Sequence, residues 1–114
     1  MAFKDLPKTE QALVLQCMKA IVDGDAIKDS EFQTRLGITR PVVRRIISQW
    51  PDIDDRVEDS DEFLAINNCM NEVCHGIRMT PEEWAERFTV PKDTILRAYD
   101  NWLTLAGQTR GGIR

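Results

Sequence analysis

Displaced by 52 residues, the chain falls on itself: residues 10–50 align with 62–102 without a gap. The pairs Glu10/Glu62, Cys17/Cys69, Met18/Met70, Gly24/Gly76, Glu31/Glu83, Arg35/Arg87, Arg45/Arg97 and Trp50/Trp102 are identical. The apolar register is kept as well. Leu13, Val14, Cys17, Met18, Ile21 and Val22 fall on Ala65, Ile66, Cys69, Met70, Val73 and Cys74. Both sets follow i, i+1, i+4, i+5, i+8, i+9, which is one stripe of an α-helix. A repeat of this length implies one supersecondary unit used twice.

Each unit reads as three helices. The first runs over roughly 8–23 and 61–75, followed by Gly24 or Gly76 where a helix is expected to close in a left-handed turn. In the second unit Thr80-Pro81-Glu82-Glu83 supplies a capping hydroxyl, a first-turn proline and a capping-box glutamate. In the first, Asp29-Ser30-Glu31 makes Asp29 the expected cap. A short helix then carries Phe32 and Leu36, matched by Trp84 and Phe88, before breaks at Gly37 and Thr89. The third helix starts near Thr39 or Pro91 and ends at Trp50 or Trp102, with Pro51 stopping the first copy. No segment alternates apolar and polar residues between hairpin turns. The expected fold is therefore all-α: residues 1–51 as one three-helix unit, 52–61 as a connector, 62–104 as the second unit and 105–114 as a flexible basic tail containing Arg110 and Arg114.

The net charge of −4 is located in one place. Residues 1–51 carry eight basic and six acidic side chains, residues 52–62 one and seven, and residues 63–114 six and six. An acidic chain is a poor partner for nucleic acid on bulk charge, but here the acid excess belongs to the connector. That connector reads as a solvated linker whose Asp59, Asp61 and Glu62 favour the start of the next helix. The eleven residues 52–62 could span at most about 36 Å. It lacks the central glycine and closing glutamate of a calcium loop.

Other function classes lose ground on the same residues. No apolar run approaches the roughly 18–20 residues of a membrane span, and the start of the chain lacks a secretion signal, so a cytoplasmic protein without membrane contact is expected. Cys17, Cys69 and Cys74 are odd in number and lie in the apolar stripes, which points to reduced, buried thiols. Cys69, Cys74 and His75 do not have a zinc spacing, and no glycine-rich phosphate loop occurs. No cofactor, metal or catalytic residue is expected, and the chain does not read as an enzyme.

The stretch Asp29–Ile47 resembles the helix-turn-helix of bacterial and phage DNA-binding regulators. Phe32, Leu36, Gly37, Ile38, Val43 and Ile46 occupy the apolar and glycine positions of that motif. The second copy offers Trp84, Phe88, Thr89, Val90, Ile95 and Ala98, without the glycine but with the small residue Ala85, where the first copy has Gln33. With the preceding helix, the resemblance extends to a tri-helical domain in each unit. It implies a DNA-binding protein, and a transcriptional regulator, whose helix from Thr39 to Gln49 enters the major groove.

With Val43, Ile46 and Ile47 facing inward, Thr39, Arg40, Arg44, Arg45 and Ser48 lie on or beside the outer face. Guanidinium groups bridge guanine edges or phosphates, and hydroxyls contact either. Arg40 and Arg44 are the preferred contacts. Arg45 and Arg35 recur in both copies and suit structural roles, Arg35 bridging to Glu31 as Arg87 would to Glu83. The second unit adds Lys92 and Arg97, but Asp93 and Asp100 on the same face would repel phosphate, and Leu96 beside them offers it no donor. Trp50 and Trp102 read as core or edge anchors. The competing expectation is a protein-interaction or assembly module that binds no DNA, and a homodimer could combine both by placing two arginine-bearing helices about 34 Å apart.

Overall fold

A computed structural model describes residues 3–107. It is all-helical, with six α-helices and no strand among the described residues. They are α1 (Lys8–Asp23), α2 (Asp29–Leu36), α3 (Arg40–Ser48), α4 (Asp61–Asn71), α5 (Pro81–Arg87) and α6 (Lys92–Leu105). A short 3-10 turn, Phe3–Asp5, precedes them, and a π turn, Glu72–Gly76, continues α4.

The apolar stripes determine which helix faces are buried. On α1 the buried side chains include Leu13, Val14, Cys17, Met18, Ile21 and Val22; on α4 they include Phe63, Ala65, Ile66, Cys69 and Met70. These two helices pack on each other, and each also contacts α3. Trp102 of α6 is fully buried against Phe63, with ring centroids 5.2 Å apart. A single apolar cluster runs from Phe3 to Leu103. Trp50, by contrast, is 43% exposed, so of these two tryptophans only Trp102 lies in the core.

The helix ends separate local rules from tertiary ones. Thr80 caps α5 as expected: its hydroxyl accepts the Glu83 N–H at 3.1 Å, and the Glu83 carboxylate accepts the Thr80 N–H at 2.9 Å. Ser60 caps α4 by accepting the Phe63 N–H at 3.2 Å. Lys28, not Asp29, occupies the cap position of α2, and the Asp29 carboxylate is instead held by Arg40 at 2.8 Å. Gly37 closes α2 in the left-handed region, with φ 73° and its N–H on the Gln33 carbonyl at 2.8 Å.

Gly24 does not adopt the expected left-handed turn; it leaves α1 extended, at φ −83° and ψ 172°. The physical reason is Arg40. Its guanidinium donates to the carbonyls of Ile21, Val22 and Gly24 and, at 2.8 Å, to that of Ile27. The last carbonyls of α1 thus gain donors without a glycine-type closure. Gly76 is not left-handed either, because the π turn before it brings the Ile77 N–H to the Glu72 carbonyl at 2.8 Å.

The connector is less solvated than its charge suggests. Ile53 is fully buried and Asp55 is 4% exposed. The Asp55 carboxylate accepts the Phe3 N–H at 3.2 Å and the Trp102 indole N–H at 2.7 Å. Three distant parts of the chain meet at one side chain. The tail from Gln108 to Arg114, with Arg110 and Arg114, lies outside the described residues.

Candidate nucleic-acid interface

The α2–α3 corner is built by its apolar residues. Phe32, Leu36, Ile38, Val43 and Ile46 are buried, and Gly37 supplies the reversal between the helices. With those positions turned inward, Pro41, Arg44, Arg45 and Ser48 are exposed on one face of α3. Pro41 stands in the first turn, where its missing N–H leaves no bond unmade.

A cleft of about 320 Å3 lies between the two helices, lined by Asp29, Phe32, Gln33, Thr39, Arg40, Pro41 and Arg44. It brings together Thr39, Arg40 and Arg44 of the expected contacts. Thr39 is half-buried, at the start of α3. Arg40 is committed inward: beyond its four carbonyls and Asp29, its guanidinium carbon sits 4.5 Å from the centre of the Phe32 ring. Its work is structural, joining the end of α1 to the corner. Arg44 is exposed, and its side chain has no ion pair or hydrogen bond with another described residue.

The other candidates are dispersed. Arg45 pairs with Asp61 at 3.3 Å, both being about half exposed. The Ser48 hydroxyl donates to the Arg45 carbonyl at 2.5 Å, and Ser48 remains accessible. Arg97 is exposed and donates to the Thr94 hydroxyl at 3.4 Å. Lys92 lines a different cleft, beside Trp84. Neither residue lines the α2–α3 cleft.

The charge around the corner is mixed. Asp23, Asp25 and Asp29 share a shallow depression with Lys28, Arg40 and Arg44. Asp29 and Asp61 each neutralise an arginine of α3. Arg44 is therefore the cation of α3 most available to an incoming anion.

Two residues here carry more than their sequence positions suggest. Gln33, which aligns with the small residue Ala85 at the 52-residue offset, is exposed and opens onto the cleft beside Arg44. Its signal is its polarity at a position where helices usually approach closely. Glu72 is the partner of Arg35, replacing the expected Glu31. Glu72 lies on the π turn, 37 residues away, and no local spacing rule reaches it. Asn68 adds a second link to α2, donating to the Leu36 carbonyl at 2.7 Å.

The thiols are set for packing rather than chemistry. Cys17, Cys69 and Cys74 are free and buried. Burial pushes the Cys17 thiol well up from its ordinary value, with the neighbouring Cys74 and Cys69 adding to the effect. Burial also pushes Cys69 up, with a smaller contribution from Glu72. A thiol held protonated in this way is a poor nucleophile. Among the described residues no group of His, Cys, Asp or Glu side chains is gathered to hold a metal. No helix there is long and apolar enough to cross a membrane.

Comparison with known protein families, with curated proteins and with solved structures gives no match. The functional reading therefore rests on this chain's own residues.

Proposed function

We propose that the chain is a small cytoplasmic duplex-DNA-binding protein, a transcriptional regulator that presents α3 to the major groove. One observation carries this reading: a glycine-closed helix corner exposes Arg44, Arg45 and Ser48 on one face of its second helix and adds Gln33 and Thr39 beside Arg44. Arginine suits guanine edges and phosphates, glutamine suits adenine, and hydroxyls take either role. The reading includes a duplicated architecture of two three-helix units. In its support, Asp29 to Pro81 and Arg40 to Lys92, the starts of α2, α5, α3 and α6, are related by the offset that aligns the chain with itself.

Because Arg40 is committed inward, the corner offers fewer phosphate contacts than its arginine count suggests. With two or three contacts, the logarithm of the affinity should fall against log salt with a slope of about −2 to −3. Fluorescence anisotropy of labelled duplex DNA at several salt concentrations tests this. Arg44→Ala is expected to reduce the slope by about one. Absence of salt-dependent binding, or an unchanged slope in Arg44→Ala, overturns the proposal.

The pairs Arg40–Asp29 and Arg45–Asp61 favour a second reading, a protein-interaction module, because they neutralise two of the three arginines on α3. That reading expects cross-links to a protein partner, or to a second copy, that survive nuclease treatment.

A further inference from the structure

Lys92 stands at the start of α6 as Arg40 stands at the start of α3, and the two cations end in different surroundings. Arg40 fills its own corner, with its guanidinium over Phe32 and its N–H groups on the carbonyls around the end of α1. In the second corner Trp84 takes the place of Phe32. There an open cleft of about 300 Å3 is lined by Val73, Ile77, Arg78, Met79, Trp84 and Lys92. Lysine has no planar fork with which to engage several carbonyls at once, and Lys92 leaves the cleft unplugged.

The chemistry of the lining selects its guest. The Trp84 indole N–H is committed to the Val90 carbonyl at 2.7 Å, and its ring stacks on Phe88 with centroids 4.3 Å apart. The indole is thereby held as a fixed wall rather than a mobile side chain. Ile77 and Met79, both half-buried, add further apolar surface. Arg78 and Lys92 are exposed, and neither side chain forms an ion pair or hydrogen bond with another described residue. No acid lines this cleft. A cationic guest, which would imitate Arg40 in the first corner, would meet two positive charges, one of them, Arg78, also bordering a neighbouring depression lined by Glu83 and Glu86. An anionic guest would meet two donors able to form charge-assisted bonds. The volume is at the small end of ligand pockets, enough for a compact organic molecule.

We propose that this cleft binds a small organic carboxylate, its flat apolar body against Trp84, Ile77 and Met79 and its charge toward Arg78 and Lys92. The site is distinct from the α2–α3 corner and does not depend on DNA binding. Titration of the full chain with naphthoate, followed by proton–nitrogen correlation NMR, tests it. Saturable shifts are expected at the Trp84 indole and at the amides of Arg78 and Lys92, with the Trp50 and Trp102 indoles unmoved. Arg78→Glu, Lys92→Glu and replacement of naphthoate by its neutral amide should each weaken binding about tenfold, the scale of one charge-assisted bond. Equal binding of the neutral amide, shifts centred elsewhere, or no saturable shift overturns the proposal.

Discussion

The Asp55 carboxylate accepts the indole N–H of Trp102 at 2.7 Å, joining the connector to the last helix inside the core. The same carboxylate accepts the Phe3 N–H, so one side chain satisfies donors from both ends of the described chain. Asp55→Ala leaves two buried donors without a partner and is expected to cost about 2–4 kcal/mol. Asp55→Asn retains an acceptor oxygen and should cost about half as much. Urea denaturation of the two variants checks the order, and equal losses would show that charge rather than acceptance matters at this position.

Gly37 tests the corner. Its φ of 73° is left-handed, while a Cβ placed there meets nothing closer than the Asn68 amide nitrogen at 3.7 Å. The cost of Gly37→Ala is therefore conformational rather than steric, about 1–2 kcal/mol. Asparagine tolerates this region better, and Gly37→Asn should recover part of the loss. Thermal unfolding of both variants provides the measurement.

Arg35 and Glu72 are unequally exposed, at 32% and 11% of their side-chain surface. Removing the arginine strands a largely buried carboxylate, whereas removing the glutamate leaves a guanidinium that reaches water. Arg35→Ala is expected to destabilise more than Glu72→Ala, by about 1 kcal/mol. A double-mutant cycle should return a coupling near 1 kcal/mol, moderated by the solvent exposure of Arg35. Additive effects would show that the pair contributes no mutual energy.

Asp54 supplies a pH dependence of known sign. The hydrogen bond from the Arg56 side chain, aided by the Arg56 backbone N–H, lowers its pKa to about 2. Its unfolded value is about 3.9. A depressed folded value means the contribution to stability is complete above the unfolded pKa and fades as the pH falls toward 2. The group is exposed, so the change is small. Carbon NMR titration should place the Asp54 midpoint near 2 in the parent chain and higher in Arg56→Ala, short of the unperturbed value because the backbone N–H of residue 56 still donates to the carboxylate.

What the sequence makes legible here is what local chemistry determines. The Thr80–Glu83 capping box, the Gly37 reversal and the inward set Phe32, Leu36, Val43 and Ile46 each depend on residues a few positions apart. Spacing alone reveals them. The fate of Arg40 was hidden because its carbonyl partners belong to α1 and the turn after it, 13 to 19 residues back in the chain. A guanidinium that fits a groove on chemical grounds also fits the end of a neighbouring helix, and only the tertiary fold chooses. The same holds for Arg35, which takes Glu72 across the fold instead of Glu31 one turn away. Asp55 was obscured differently: in a run of acids nothing marks the one carboxylate that turns inward.

The burial of Ile53 and Asp55 also bears on what would follow a break in the backbone. A protease cutting after the exposed Arg56 would leave Asp55 on one fragment and its partner Trp102 on the other. With α1 and α4 packed together across the cut, the fragments should stay associated, as in fragment complementation, and reassemble from separately purified halves. Continuity of the chain at this point matters more for the rate of assembly than for the final architecture.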